Sequence, residues 1–307
     1  MKKLTVIVPA YNEQANIKPF YDEVIKYLNH PNYEFSILFV SDGSKDGTID
    51  EVKKLRSIDK RIRYISFSRN FGKEAAMYAG MEACKDDDAV IVIDCDLQHP
   101  PVLIPEMLKL HEEGYNIVYT RQRSRKGDSK IRRFFAKKFY STFNKFSDCH
   151  MDGSTKDFQL LDKIVVDAFL KIKDNNRFMK GIFSWVGFKR KCLEFDFVDR
   201  EVGKSKWSFK GLFKYGFNGL NQFSNVLITI PILLIVLNVL WLVGSVCLFI
   251  FAVWSLEVFL ISLMVTTLGL GFSVTFYFLF YLLYQIRRQG LDRPIYLVEE
   301  SSDEKNN

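Results

Sequence analysis

Two long stretches without a charged residue constrain this chain more than any other feature of its sequence. Residues 215–256 contain no Asp, Glu, Lys or Arg, and residues 258–284 contain none either. A helix of about 20 apolar residues crosses a bilayer core of ~30 Å, and residues 226–254 and 258–284 both exceed that length. Only a few residues separate the two stretches, so the pattern predicts a two-helix transmembrane hairpin over residues 226–286.

Basic residues flank this predicted hairpin on both sides. They are Lys204, Lys206, Lys210 and Lys214 before it, and Arg287, Arg288 and Arg293 after it. The positive-inside rule then predicts a multi-pass protein of the cell membrane with both termini in the cytoplasm. Residues 207–225 have the pattern of an interfacial amphipathic helix, although packing against the preceding domain would give the same pattern. Residues 287–307 are expected to form a cytoplasmic tail whose polar end, from Glu299 onward, is disordered.

The first 206 residues carry the alternation of an α/β domain. Apolar runs of strand length occupy residues 4–8, 35–40, 62–67, 89–93 and 117–119, and amphipathic helical segments occupy residues 13–28, 48–57, 73–85 and 101–113. This order predicts a mostly parallel sheet, complete within residues 1–206 and covered by helices on both faces. Ligands of such sheets bind beyond the carboxyl ends of the strands.

The fourth predicted strand ends in two acidic residues, Asp94 and Asp96. Alternate residues of an extended segment point to one side, so their carboxylates converge while Cys95 faces away. Hard oxygen ligands suit Mg²⁺ or Mn²⁺ that carries substrate phosphates. Solvated loop carboxylates are the alternative interpretation of a lone D-x-D. The five cysteines include no C-x-x-C, which argues against structural zinc and a disulfide framework.

A basic run covers residues 121–138, where nine Lys and Arg accompany a single acid, Asp128. A solvated helix face is one interpretation of such a run. Beside a membrane, each basic residue near anionic headgroups contributes about 1 kcal/mol to binding. Membrane lipids are therefore the favoured partner, and nucleic acid is disfavoured because no aromatic platform or recognition motif accompanies the charge.

Several motifs resemble those of a known family. VPAYNE at residues 8–13, DGSKDGT at 42–48 and DCDLQHPP at 94–101 resemble the inverting nucleotide-sugar glycosyltransferases of the GT-A fold. KDFQLLD at 156–162, REVGKSKW at 200–207 and RPIY at 293–296 are similar to the polyprenyl-phosphate subgroup, which includes bactoprenol glucosyltransferases and dolichol-phosphate mannose synthase. Ser41, Lys156 and Trp207 depart from that pattern, where Asp, Gly and Tyr are usual.

The resemblance implies roles for individual residues. Uridine would be held by Pro9, Tyr11, Glu13 and Asp42, and the metal on the diphosphate by Asp94, Asp96 and Gln98. The lipid phosphate would be received by Arg121 and Arg132, and the charge on the departing diphosphate stabilised by Arg200 and Lys206. Asp157 resembles the candidate base of the family, but the favoured role here is to orient the acceptor phosphate or a sugar hydroxyl. Helix capping is the alternative interpretation.

The implied activity is inverting transfer of a sugar from a UDP-sugar to undecaprenyl phosphate, by a membrane-bound homo-oligomer for which the family suggests a tetramer. Glucose is slightly favoured, with N-acetylglucosamine and galactose open. A processive polysaccharide synthase would resemble proteins with Q-x-x-R-W and more spans, and a catalytically silent membrane scaffold would not need this acid and base set. A dinucleotide oxidoreductase would need G-x-G-x-x-G after the first strand, where this chain has Pro9 to Glu13.

Overall fold

The computed structural model describes residues 1–123, 138–145, 147, 155–172, 174, 177–196, 216–220, 222–223, 236, 240, 255–289 and 294–303. The chain divides into two compact units. The first comprises Met1–Gly219 together with Pro294–Asn307, and the second comprises Leu220–Arg293. The chain therefore leaves the first unit for the second and then returns to the first.

The first unit is built on one sheet, which has eight strands among the described residues. The strands are β1 Lys2–Ala10, β2 Tyr33–Ser41, β3 Ile62–Phe67, β4 Ala89–Val92, β5 Ile117–Gln122, β6 Thr155–Asp162, β7 Arg190–Phe195 and β8 Val298–Ser301. The helices whose two ends are described are α1 Gln14–Val24, α2 Thr48–Ile58, α3 Lys73–Ala83, α4 Ile104–Glu112, α5 Lys163–Leu170 and α6 Met179–Trp185. Residues 138–145 are helical as well. Short 3-10 turns at Ile25–Tyr27 and Pro101–Leu103 extend α1 and precede α4.

The sheet is mostly parallel, as the sequence predicts. Its strand order is β7-β5-β6-β4-β1-β2-β3-β8. Strands β4, β1, β2 and β3 run parallel to one another, and β5 runs parallel to β7. The central strands are buried along nearly their whole length because helices cover both faces, which explains their continuous apolar runs.

Two strands are antiparallel to their neighbours, and the sequence did not predict them. Strand β6 lies between β4 and β5, so its amino end sits beside the carboxyl end of β4, with Val92 opposite Gln159. Strand β8 pairs with β3 at the edge of the sheet. The expectation of a sheet complete within residues 1–206 is therefore wrong, and so is the expectation of disorder for residues 299–303. Residues 304–307, to which the same expectation applies, lie outside the described residues. Strand β8 has four residues, half of them glutamates, and an edge strand of that kind has no apolar alternation to detect.

The described part of the second unit is dominated by one helix, α7, which spans Ser255–Gln289. It contains the whole of the predicted second span. Among the described helices, α7 alone is long and apolar enough to cross a membrane, over Thr267–Ile286. The predicted first span lies outside the described residues except at Val236 and Leu240, both helical. The predicted interfacial helix is described only at residues 216–220 and 222–223, which are helical.

A buried polar chain stabilises the amino ends of the strands. The side chains of Tyr33 and His111 are both buried, and the Tyr33 hydroxyl lies 2.8 Å from His111 Nδ1. Burial raises the pKa of Tyr33 to about 12, so the phenol keeps its proton. The phenol donates to Nδ1, because the Asp162 carboxylate only accepts and therefore takes the N–H of the other ring nitrogen. His111 Nε2 then donates to Asp162 at 2.8 Å, and Asp162 also accepts the Ile164 N–H as the cap of α5.

We predict that Tyr33→Phe lowers the free energy of unfolding by about 1–3 kcal/mol, because it leaves the buried Nδ1 of His111 without its hydrogen bond. Urea denaturation of the full chain measures this change. Tyr27→Phe is the matched control, since the Tyr27 hydroxyl donates to Glu23 only at 3.2 Å on the half-exposed surface of the domain. The control should change stability by no more than about 0.5 kcal/mol. Equal losses in both variants would contradict this account.

Candidate active site

The turns that follow β1 and β2 are interlocked by hydrogen bonds. The Asn12 N–H donates to Ser44 Oγ at 3.0 Å, and Asn12 Oδ1 accepts the Lys45 N–H at 2.8 Å. The Glu13 N–H donates to Thr48 Oγ1 at 2.8 Å. Asn12 adopts a left-handed conformation with φ 52°, which asparagine tolerates better than most residues. These bonds bring together the two turns that carry the predicted uridine-binding residues.

The structure places those predicted residues at the carboxyl edge of the sheet. Pro9 is buried in β1 opposite Val40, and Tyr11 and Glu13 are half-buried in the turn that follows. The Asp42 N–H donates to the Ala10 carbonyl at 2.9 Å, which joins the start of the second turn to the end of β1. The four side chains therefore belong to one neighbourhood of the domain, as the order of the motifs predicts.

Asp42 organises the loop that follows β3. Its buried carboxylate accepts the N–H of Phe71 at 2.6 Å and the N–H of Gly72 at 2.9 Å. Burial raises the pKa of Asp42, and the two N–H donors oppose that rise. The adjacent Gly43 has φ 63°, and a Cβ there would lie 2.2 Å from the Arg69 carbonyl carbon, so only glycine fits this close approach. Asp42 therefore holds this loop in place, and any contact that it makes with a nucleotide would be additional to these hydrogen bonds.

Lys73 brings two carboxylates together from different parts of the chain. Its ammonium lies 2.7 Å from Asp94 Oδ1 and 2.5 Å from Asp157 Oδ2. Lys73 is the first residue of α3, Asp94 follows β4, and Asp157 lies near the start of β6. Because β6 runs antiparallel to β4, the Val92–Gln159 pairing carries Asp157 to the edge where Asp94 lies.

This cluster fixes the protonation state of Asp157. Burial raises the pKa of Asp157, but the positive charges of Lys73 and Lys180 outweigh burial and hold that pKa well below its usual range. Burial likewise lowers the pKa of Lys73, and the two carboxylates outweigh it, so the ammonium keeps its proton. Asp157 is therefore a permanent carboxylate near neutral pH, and such a group is a weak proton acceptor.

The loop after Asp94 folds back on itself. Leu97 has φ 56°, an uncommon conformation for a branched residue, and the Gln98 N–H donates to Asp96 Oδ1 at 3.2 Å. His99 is buried with its ring stacked on Phe158 at 6.1 Å, and its Nδ1 lies 3.9 Å from Asp94 Oδ2. Burial lowers the pKa of His99, so its imidazole is neutral. Nothing in the spacing of His99 along the chain signals that it is buried beside Asp94, so no role could be assigned to it from sequence alone.

The acidic residues of this loop have the chemistry of a magnesium or manganese site. In the described part of the chain, no group of three or more His, Cys, Asp or Glu side chains is placed to hold a metal ion. Mg²⁺ in phosphate-transferring sites uses one or two carboxylates and takes its other ligands from substrate phosphates and water. Asp94 and Asp96 supply that number. Asp94 shares the ammonium of Lys73, so we expect Asp96 to be the principal protein ligand.

Of the basic residues predicted to bind phosphates, only Arg121 lies among the described residues. Arg121 is near the end of β5 and pairs across the sheet with Glu194 of β7, with Nε 3.0 Å from Oε1. A lipid phosphate at Arg121 would therefore compete with Glu194. Lys180, which the sequence analysis did not single out, donates from α6 to the Thr155 carbonyl at 3.2 Å, two residues before Asp157. Arg132, Arg200 and Lys206 lie outside the described residues.

Comparison with known sequences identifies relatives along most of the chain. A family model described as glycosyl transferase family 2 matches residues 5–170. The chain is 43% identical over 222 residues to the putative glycosyltransferase CsbB of Bacillus subtilis, covering 72% of this chain and 67% of the relative. It is 36% identical over 222 residues to the bactoprenol glucosyl transferase of Shigella phage SfV, covering 72% of each. It is 33% identical over 309 residues to the uncharacterized glycosyltransferase YkcC of Bacillus subtilis, covering 97% and 93%.

A solved structure shares the fold at low sequence identity. Mannosyl-3-phosphoglycerate synthase from Rubrobacter xylanophilus is 16% identical, with a TM-score of 0.51 over 72% of each chain. The similarity confirms the expected α/β architecture of the GT-A type.

We predict that Lys73→Met lowers the free energy of unfolding at pH 7 by up to about 3 kcal/mol, because two carboxylates lose their shared counter-charge. Each member of the cluster keeps about a quarter of its side chain exposed, which places the loss at the low end of the range for buried pairs. Since Asp157 has a lowered pKa in the folded state, its stabilisation is present above the unfolded value of about 4 and is lost as the pH falls further. The deficit of the variant should therefore shrink below about pH 4.

Urea denaturation at pH 7 and at a series of lower pH values measures this effect. Lys18→Met is the matched control, because Lys18 pairs with Asp22 on the surface with both side chains about half exposed. That substitution should cost no more than about 1 kcal/mol at any pH. A deficit in Lys73→Met that is small at pH 7, or that grows on acidification, would show that the cluster does not stabilise the fold in this way.

Proposed function

We propose that this chain, which belongs to glycosyl transferase family 2, transfers a sugar from a UDP-sugar to undecaprenyl phosphate with inversion at the anomeric carbon. The observation that supports this proposal most strongly is the ion-pair cluster of Lys73 with Asp94 and Asp157. It holds a permanently ionised Asp157 beside the acidic loop at the carboxyl edge of a GT-A type of sheet. Relatives named bactoprenol glucosyl transferases support a polyprenyl phosphate acceptor and favour glucose as the sugar. N-acetylglucosamine and galactose are the alternative sugars.

The donor nucleotide would bind at the interlocked turns. Pro9, Tyr11, Glu13 and Asp42 would contact the uridine, and Asp94, Asp96 and Gln98 would face its diphosphate. A divalent cation, Mg²⁺ or Mn²⁺, held by Asp96 with Asp94 and Gln98, would supply positive charge to the diphosphate. The sheet edge collects these groups because β1, β2 and β4 all end there.

The acceptor phosphate needs orientation more than deprotonation. A phosphate monoester has a second pKa of about 6 and is already a dianion in large part near neutrality. An oxygen of that phosphate would form a bond to the anomeric carbon while the bond from this carbon to the UDP oxygen breaks, and UDP departs. Asp157, held ionised by Lys73, would orient the acceptor or a sugar hydroxyl and would not take a proton.

Positive side chains would stabilise the phosphates on both sides of the transfer. Arg121 and Arg132 would receive the lipid phosphate, with Glu194 as the resident partner that Arg121 must leave. Arg200 and Lys206 would face the departing UDP, where a single preorganised donor typically contributes about 2.7–4 kcal/mol to the transition state.

The lipid acceptor and the long apolar helix α7 both support a location at the membrane. Helix α7 would form a hairpin with the predicted span at residues 226–254, behind an interfacial helix at 207–225 and ahead of a cytoplasmic C-terminal region at 287–307. The catalytic domain, most of it within residues 1–206, and both termini would then lie in the cytoplasm. Two spans offer little buried surface on their own, which favours a homo-oligomer such as a tetramer.

The direct experiment incubates membranes that contain the full chain with undecaprenyl phosphate and, separately, UDP-glucose, UDP-N-acetylglucosamine and UDP-galactose. Mass spectrometry of the extracted lipid should find one glycosyl residue on the phosphate with one of these donors. Membranes carrying Asp96→Asn serve as the control for endogenous enzymes. Absence of a glycosylated lipid with every donor would contradict the proposal, and a polysaccharide product would identify a processive synthase instead.

We predict that Asp96→Asn reduces transfer by at least about 100-fold while the protein stays folded, because the amide removes one negative charge from the cation site. Stability should stay the same or rise, since repulsion between neighbouring carboxylates is relieved in the cation-free protein. Asp167→Asn is the control, because Asp167 pairs with Lys163 at 3.5 Å on an exposed helix surface, and it should keep full activity. Activity of the wild type in excess chelator would refute the metal assignment.

The pH dependence of transfer should follow the acceptor and not Asp157. We predict that kcat/KM falls as the pH drops below about 6, where the lipid phosphate gains its second proton. A phosphonate analogue of the acceptor has a higher second pKa, so it should move this limb to higher pH. A limb that stays in place with the phosphonate would assign the titrating group to the protein.

A further inference from the structure

The residues that follow α7 by a few positions return to the catalytic sheet. We call residues 294–303 the C-terminal segment. Its strand β8 pairs with β3, with Phe67 opposite Val298, and the Leu297 carbonyl accepts the Ser68 N–H at 3.1 Å. Lys53 and Glu300 form an ion pair at 2.6 Å farther along the same edge. The segment therefore covers an edge of β3 that would otherwise expose its hydrogen-bonding groups.

Tyr296 anchors this segment between β3 and α3. Its ring stacks on the Phe67 ring with centroids 4.9 Å apart and an interplanar angle of 22°. Its hydroxyl donates to Glu82 Oε2 at 2.5 Å, and Tyr78 packs against the ring at 6.5 Å. Phe67 is fully buried, so the contact joins Tyr296 to the core of the domain.

The aromatic contacts of Tyr296 and Phe67 continue through Phe71 toward the proposed donor site. The Phe71 ring packs edge-on against Phe67 with centroids 5.8 Å apart. The Arg69 guanidinium covers Phe71 at 3.9 Å, and the Phe71 N–H is the donor that holds Asp42 at 2.6 Å. Three rings thus lead from the C-terminal segment to the hydrogen bond that fixes Asp42. Since Ser68 is bonded to Leu297, the loop at residues 68–72 is supported at its start as well.

We propose that the C-terminal segment positions the donor nucleotide, with Tyr296 as the positioning residue that acts through Phe67, Phe71 and Asp42. The inference rests on the proposed function, because it takes the turn at Asp42 as part of the uridine site. The proposal also assigns a role to the RPIY motif at residues 293–296, which the transfer reaction itself does not use. Asp94 and Asp96 follow β4 and Asp157 lies on β6, and three strands, β1, β2 and β3, separate β4 from β8. Loss of Tyr296 should therefore weaken donor binding more than it slows the transfer step.

The test compares Tyr296→Ala with Tyr296→Phe in the full-length protein. Tyr296→Ala should raise the KM for the UDP-sugar by about three- to tenfold, the value expected for a lost aromatic contact, and leave kcat within about twofold. Hydrogen exchange should accelerate in the peptide that covers residues 68–73, because weaker support of the Phe71 ring would loosen the hydrogen bonds from the Phe71 and Gly72 N–H groups to Asp42. Tyr296→Phe keeps the stacked ring and should restore both readouts to near the wild-type values.

Tyr115→Ala is the matched control for general loss of stability. Tyr115 is a partly buried tyrosine that packs on the core at the start of β5, with Lys189 at 4.3 Å over its ring. It should lower stability without changing exchange at residues 68–73 or the KM. Unchanged exchange in Tyr296→Ala, or the same acceleration in Tyr115→Ala, would overturn the inference. Failure of the wild type to bind UDP would instead refute the proposed function, and the exchange measurement would still decide the role of Tyr296.

Discussion

The ion-pair cluster of Lys73 with Asp94 and Asp157 is the interaction on which the site depends. Two carboxylates this close would repel one another and lose their ordinary pKa values without a cation between them. The ammonium that prevents this comes from the first residue of α3, so the backbone of a helix fixes its position. Its cost in lost hydration is offset by charge-assisted hydrogen bonds to both acids. The result is a preorganised group of charges at the carboxyl edge of the sheet.

Strand order explains why these groups meet. The parallel strands β1, β2, β3 and β4 deliver four loops to one edge, and the antiparallel β6 delivers its amino end to the same edge. The opposite edge carries the buried Tyr33, His111 and Asp162 chain, which stabilises the sheet at a distance from the proposed chemistry. The segment that closes the outer side of β3 comes from the end of the chain. The sheet that carries the site is thus built from residues that precede α7 in the sequence and residues that follow it.

The sequence predicted the parallel part of this fold because buried central strands leave continuous apolar runs. The convergence of Asp94 and Asp96 stays a prediction, because β4 ends at Val92 and both acids lie in the loop that follows it. The sequence did not predict the antiparallel strands β6 and β8 or the parallel strand β7, which are polar at their ends or short. The role of Lys73 could not be predicted either, because its partners lie 21 and 84 positions away along the chain. A lysine at the start of a helix does not by itself indicate an ion-pair cluster. The same holds for Arg121, whose partner Glu194 is fixed by strand register 73 positions along the chain.

Lys73 restrains Asp157 as a carboxylate, and in the proposed reaction the sugar passes to the acceptor phosphate in one displacement. The most direct test is the anomeric configuration of the lipid product, determined by nuclear magnetic resonance after transfer from a UDP-sugar of α configuration. A single displacement predicts a β-linked glycosyl phosphate. An α-linked product would require either two displacements or attack from the face that UDP leaves, and both would contradict the in-line attack by the lipid phosphate.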